Sequence, residues 1–325
     1  MNGVRALVTG ATGQDGSYLV EQLLAEGAEV HALVRAADGV ERDVTPLPDA
    51  VVRHVGDLAD GDSLQALVAD AAPTEIYNLG GLSSVALSWK EPILTAQVSG
   101  LAAGHLLKAA HDLQESTGDP VRFVQASSAE IFGRTSRTLQ DETTPLRPLT
   151  PYGAAKAYAH HLVGVYRARG LHASSCILYN HESPRRPEAF VTRKITAGAA
   201  RIARGLQDEL AMGNLDARRD WGWAPDYVAA MVLALRDDVT RDYVIATGVS
   251  HSVRDFVAAA FSAAGVPAWQ RYVTLDPRFA RPSDAPELVG DSTRAREVLG
   301  WRPTVHFDEI VARMVARDLE IIDAG

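Results

Sequence analysis

The chain of 325 residues contains a single cysteine, Cys176. One cysteine excludes an intrachain disulfide and a disulfide-stapled secreted scaffold, so a reducing cytoplasm is the expected compartment. A basic surplus is missing too: 32 Lys and Arg stand against 41 Asp and Glu, for a formal net charge of −9. A nucleic-acid-binding face needs such a surplus to neutralise phosphates, so no nucleic-acid partner is expected. No apolar run approaches the roughly 18 residues of a membrane span, and no basic segment followed by an apolar stretch opens the chain, so neither a membrane partner nor export is expected. No metal centre is expected either. His160 and His161 are adjacent, diverge on a helix, have no partner at zinc spacing, and read as helix-surface residues.

What remains is an ordinary globular composition. Hydrophobic residues make up 46% of the chain, enough to bury a full core as one large or two coupled domains. Short β-rich runs alternate with amphipathic stretches through the first half. Strands are expected at 5–8, 29–34, 50–55, 75–79, 121–126 and 173–178, with helices at 18–25, 63–71, 93–113 and 151–169 between them. This alternation predicts an α/β fold, a Rossmann-type doubly wound parallel sheet with a smaller α/β substrate-binding domain. Residues 1–182 are read as the sheet domain and 183–325 mostly as the substrate part. A helix at 224–235 and a strand at 243–246 mark returns to the first domain, at about 222–248.

Directly after the first expected strand come Gly10, Gly13 and Gly16, three residues apart and opening a helix. Such a turn takes residues without Cβ where the chain bends, where backbone nears a pyrophosphate and where helix meets strand. The helix N-terminus then offers free N–H groups and a positive dipole end to phosphates, which predicts a bound dinucleotide. The second strand ends in Leu33-Val34-Arg35, without the acidic residue that binds a free ribose 2′-hydroxyl. Arg35 suits a 2′-phosphate, so NADP is favoured, with NAD possible. Asp57, followed by Leu58, is placed either to bond an adenine amino group or to cap the helix from Ser63.

Tyr152 and Lys156 are spaced to project from one face of a helix, with Thr150 as N-cap and Pro151 in the first turn. An ammonium beside the phenol favours phenolate and lowers its pKa toward the range of a general base. Tyr152 would then take a proton from a substrate hydroxyl while the carbon-bound hydrogen leaves as hydride to a nicotinamide. Ser128, at the carboxyl end of the fifth strand, would hydrogen-bond the same oxygen. Glu130 lies two residues on, over the strand ends where ligands bind, and is a candidate base or a loop capping acid.

With these residues in place, the chain resembles the extended short-chain dehydrogenases/reductases over essentially its whole length, and within them the GDP-mannose 4,6-dehydratases. Thr9 to Leu19 looks like their cofactor loop and adds Thr12, Gln14 and Asp15 to the cofactor residues. The segments Asn180-His181-Glu182-Ser183-Pro184-Arg185-Arg186, Phe190 to Ile195, Gly213 to Asp216 and Arg219 to Gly222 are similar to those that hold GDP-mannose. Arg281-Pro282-Ser283-Asp284 resembles another, with Asp in place of the family's usual Glu. The resemblance implies a GDP-sugar partner bound by Asn180, Val191, Lys194, Arg219, Arg281 and Asp284. Lys and Arg are the residue types a diphosphate requires. Arg185, Arg186 and Arg218 are read as solvated surface.

The implied reaction is oxidation at C4 by Tyr152 and NADP, removal of the C5 proton by Glu130 with loss of water from C6, and hydride return at C6. Departures fall at the chemical end: Ala129 stands where the family has a hydroxyl side chain, and Gly80-Gly81-Leu82-Ser83 replaces Ala-Ala-Gln-Ser. The usual Arg pair after the second strand is reduced to Arg35-Ala36. A GDP-sugar 4-epimerase or 4-reductase, on a hexose or a heptose, therefore stands as the alternative. A non-catalytic regulator is disfavoured, because both Tyr152 and Lys156 are present. Family members commonly pair through helices equivalent to 93–113 and 151–169, so a homodimer or homotetramer is expected.

Overall fold

A computed structural model describes residues 3–35, 45–279 and 287–324. The apolar runs become strands β1 (Arg5–Thr9), β2 (Glu29–Val34), β3 (Val52–Val55), β4 (Glu75–Asn78), β5 (Arg122–Ser128) and β6 (His172–Leu178). They are followed by β7 (Asn180–Glu182), β8 (Leu210–Met212), β9 (Arg218–Trp223), β10 (Asp242–Ile245), β11 (Ser250–Ser252), β12 (Val273–Leu275) and β13 (Glu287–Leu288). Seven of these strands form one sheet in the order β10-β6-β5-β4-β1-β2-β3, every pair parallel. Ala6, Leu7 and Val8 are wholly buried on successive sides of β1, as a strand covered on both faces requires.

The chain runs outward from β1 to β3 and then starts again at β4, beside β1. That reversal opens a crevice at the carboxyl ends of β1 and β4, where ligands bind in such sheets. One apolar cluster, including Val8, Leu19, Val30 and Met231, covers one face of the sheet. A second, including Leu7, Leu33, Leu64, Leu106 and Phe123, covers the other. A third lies off the sheet and gathers Ile195, Leu210, Trp221, Phe256, Ile310 and Met314. Its helices Val253–Ala263 and Phe307–Ala324 lie beyond the last element expected from the sequence. The first of them begins at a capping box formed by Ser252 and Asp255.

The expected return near 243 joins the large sheet as β10, paired with β6. The expected helix at 93–113 is longer and interrupted: Pro92–Ala96 continues through a π-helical turn, Gln97–Leu101, into Ala102–Thr117. The wide turn brings buried Ser99 to the loop after β4, where its Oγ accepts from the Leu82 amide at 3.0 Å. His160 is not on the surface. Its side chain is 12% exposed, lies 3.7 Å from the Asp242 carboxylate, and is held below the ordinary imidazole pKa by burial. Among the described residues, no helix is long and apolar enough to cross a membrane.

Candidate active site

The glycine turn fits a dinucleotide. Gly10 has φ of +69°, and a Cβ there would lie 2.9 Å from the Gly80 nitrogen, where β1 and β4 part. A Cβ on Gly16 would collide with the Gly10 carbonyl oxygen. The bare backbone at these positions lets helix Gln14–Ala25 start immediately behind the strand end, with its first-turn amides facing the crevice. Gly13 is the N-cap of that helix, and Thr12 fixes the neighbouring loop by accepting the Thr45 amide on its carbonyl at 3.0 Å. Arg35 is exposed just past the end of β2. Asp57 is not the helix cap. Its carboxylate accepts from the Ala59 amide at 2.8 Å, while Asp60 caps helix Gly61–Ala71 through the amides of Asp62 and Ser63. Leu58 packs beside the Leu7 and Leu33 cluster and reaches Gly80.

Gln14 and Asp15 are turned toward the segment after β6. Gln14 donates to the His181 carbonyl at 3.1 Å and accepts from Ser183 at 2.9 Å. The Asp15 carboxylate meets His181 Nε2 at 2.8 Å, and His181 Nδ1 meets the Tyr179 carbonyl at 2.6 Å. Both ring nitrogens thus face oxygen atoms, which holds the ring between the Tyr179 carbonyl and the Asp15 carboxylate. Burial alone would raise the Asp15 carboxyl, but His181 and Arg186 hold it down at about 2.

Ser128 ends β5, and its Oγ accepts from the Glu130 amide at 3.3 Å, so one 3₁₀ turn, Ala129–Ile131, carries the strand end and Glu130 together. Thr150 caps helix Pro151–Ala168 through the Gly153 amide at 3.0 Å, as expected. Tyr152 and Lys156 consequently emerge from its first turns toward β5. Ser128 favours the ionised form of the phenol, and the charge of Glu130 opposes it.

The expected depression of that phenol by Lys156 is not what the geometry produces. Burial pushes Tyr152 up to about 12, against the Ser128 hydrogen bond and with a further rise from Glu130. Lys156 is 5% exposed, donates to the Ala126 carbonyl at 2.9 Å, and has its Nζ 5.9 Å from the Tyr152 ring centre. Burial brings its ammonium down to about 8, partly offset by Asp15. Ala129 is buried beside Ile131 and Phe132.

A cleft of about 640 Å³ gathers Asp15, Ser128, Glu130, Tyr152, Lys156, Asn180, Val191, Lys194 and Arg219. Gly10, Thr12, Gly13, Gln14, Gly16, Arg35, Asp57 and Leu58 are outside its lining. Lys194 donates to the Ala211 carbonyl at 2.7 Å, and Arg219, 6% exposed, donates to the Arg218 carbonyl at 2.7 Å. Arg281 and Asp284 lie outside the described residues.

The cleft also contains Trp89 and Phe279, which no sequence motif marked, and His181, Glu182 and Arg186, which the sequence marked only as members of the 180–186 segment. Arg186, read as solvated, is instead tucked against Glu182 at 2.8 Å and bonds the His181 carbonyl. Arg185 pairs with Glu21 at 2.7 Å over the Tyr18 ring, and Arg218 pairs with Glu287 at 3.1 Å. His181 and Arg186 sit inside segment 180–186; Arg186 is held by Glu182 four residues before it, whereas the carboxylate that holds His181, Asp15, is 166 residues away.

Residues 7–314 match the family model described as GDP-mannose 4,6 dehydratase. GDP-mannose 4,6 dehydratase 1 of Arabidopsis thaliana is 45% identical to the chain, covering 97% of this chain and 90% of the relative. The GDP-mannose 4,6 dehydratase of Homo sapiens is 43% identical, covering 98% and 92%. Among solved structures, Thermus thermophilus UDP-glucose 4-epimerase in complex with NAD superposes with a TM-score of 0.82 at 30% identity, over 97% of this chain and 99% of that one. With a family match spanning nearly its whole length and a strand order that opens the crevice these residues line, the chain belongs to the GDP-mannose 4,6-dehydratase family.

Proposed function

We propose that this protein is a nicotinamide-dependent GDP-mannose 4,6-dehydratase. The observation that carries the reading is the placement of the Glu130 carboxylate in the same cleft as Ser128, Tyr152 and Lys156. Oxidation at C4 needs only the last three; a base beyond them has a use when a C5 proton must leave. The residues of the glycine turn and helix Gln14–Ala25 would hold the dinucleotide, with Arg35 favouring NADP over NAD. When bound, that group supplies a temporary store for the hydride taken from C4 and returned at C6.

Ser128 donates to the phenol oxygen of Tyr152 and so favours its ionised form, from which Tyr152 takes the proton of the C4 hydroxyl. Lys156, with its Nζ 5.9 Å from the Tyr152 ring centre, keeps a positive charge on the same side of the site. Once C4 is a carbonyl the C5 proton is acidic, and Glu130 removes it as water leaves C6. Asn180, Val191, Lys194 and Arg219 would hold the GDP portion, the two cations facing its diphosphate. We read the large sheet and its returns as the cofactor part, and the region around the third apolar cluster as the sugar-nucleotide part. Cytoplasmic location accords with the single, buried Cys176.

A 4-epimerase or 4-reductase is the second reading, favoured by the methyl group of Ala129, which offers no side-chain proton donor beside Glu130 in the cleft. Incubation with GDP-mannose followed by product mass decides between them. Dehydration removes roughly 18 mass units, the water expelled by the acid–base step. Unchanged mass with altered sugar configuration would instead establish the epimerase. Glu130→Gln should cut dehydration by roughly 10²- to 10⁴-fold, and an undiminished rate removes Glu130 from the mechanism.

The protein is also read as a homodimer or homotetramer. Ile93 (72% exposed), Leu94 and Leu101 lie on one helix, and Tyr158 and Val165 on the helix packed against it. Exposed apolar side chains on two packed helices suit such an interface, and sedimentation equilibrium would measure the assembly.

A further inference from the structure

One aromatic ring in the cleft lies far along the chain from Tyr152 and has no part in the steps above. Phe279 ends the 3₁₀ turn Pro277–Phe279, lines the cleft, and is 51% exposed. A large apolar side chain left open in this way is ordinarily mobile, yet this one is held on several sides. The Lys194 ammonium lies 3.4 Å from the ring centre, itself tied at 2.7 Å to the Ala211 carbonyl. The backbone of the turn rests on Gly213, where a Cβ would lie 2.6 Å from the Phe279 carbonyl oxygen. The Phe279 amide donates to the Asp276 carbonyl at 3.1 Å, and the Asp276 amide donates to the Met212 carbonyl at 2.8 Å. Strands β8 and β12 pair in parallel just before these contacts, so the turn that carries the ring leaves directly from a paired strand.

We infer that Phe279 is the stacking platform for the purine base of the substrate, a deepening of the proposed function on which it rests. The sugar must lie at Ser128 and Tyr152, on the large sheet. The nucleotide end therefore extends toward the wall built by helix Val191–Ala203, β8 and the turn at 277–279. A half-exposed ring that lines the cleft, with a cation over one face, suits a flat, π-bearing partner. Stacking of this type depends on ring area and ring faces and is insensitive to the base's hydrogen-bonding edge. Phe279 thus contributes affinity for the base, and the choice of guanine is left to other groups.

Calorimetric titration with GDP, which lacks the sugar, tests this on the full chain as wild type, Phe279→Ala, Phe279→Leu and Phe279→Trp. Loss of the ring should weaken GDP binding roughly 5- to 100-fold, in Phe279→Ala and Phe279→Leu alike, while Phe279→Trp binds at least as well as wild type. The KM for GDP-mannose should rise by the same factor, with kcat at saturation staying within about twofold because uniform binding has been removed. Unchanged GDP affinity in Phe279→Ala, or wild-type affinity in Phe279→Leu, would overturn the stacking role and leave the proposed function standing. Wild-type protein that fails to bind GDP at all would overturn both.

Discussion

Lys156 turns its ammonium to the Ala126 carbonyl at 2.9 Å and stands 5.9 Å from the centre of the Tyr152 ring. The two side chains that share a helix face are thus joined through their common burial and not by a direct bond. Burial moves them in opposite directions, the phenol up to about 12 and the ammonium down to about 8.

That depressed lysine has a consequence for rate. Below pH 8 Lys156 is mostly protonated, and its charge is available to stabilise a developing phenolate; as pH rises through about 8 that charge is lost. Tyr152 must be ionised and is held up at about 12, so kcat/KM, which reports groups of the free enzyme, should rise with pH up to about 8 and level off above it, where the gain of phenolate is offset by the loss of the Lys156 charge. Lys156→Arg, always charged, should lower the rate and let the rise continue beyond pH 8. A wild-type profile that keeps rising from pH 8 to 10 would contradict the assignment.

Asp15 and His181 tie the start of the first helix to the segment after β6 across 166 residues of sequence. The Asp15 carboxyl is lowered from 3.8 to about 2, so its contribution to stability is complete above its unfolded value and disappears as pH falls through about 2. A shift of that size corresponds to about 2 kcal/mol at neutral pH. Asp15→Asn should lower the denaturant midpoint at pH 7 and flatten the loss of stability between pH 4 and 2, measured by urea unfolding at stepped pH. Equal midpoints for the two proteins at pH 7 would dismiss the ion pair as a stabilising contact.

Arg35, exposed beyond the end of β2, sets the expected cofactor preference. Arg35→Ala should weaken NADP binding roughly 10- to 100-fold, the worth of a charge-assisted phosphate contact, and leave NAD binding nearly unchanged. Parallel titrations of the two cofactors read the ratio. If both weaken together, or neither does, Arg35 does not touch the 2′-phosphate.

Much of this architecture follows from local rules that a single sequence carries. Period-two and period-3.6 patterns are properties of neighbouring residues, so β1 to β6, the capped helix from Pro151 and the return at β10 could be read directly. The glycine turn and the Tyr152–Lys156 spacing are equally local, because the strain of a tight turn and the pitch of a helix act over a few residues. The direction of each side chain was set by partners distant in the chain. Lys156 points to Ala126, and Gln14 and Asp15 reach His181 and Ser183. Burial is a property of the packed molecule, so the phenol that sequence spacing predicts to be acidified is raised instead. Sequence by itself determined which residues stand on the strand ends and helix faces of this protein; tertiary packing decided which charges meet, which are desolvated, and that Phe279 and Tyr152 share one cleft.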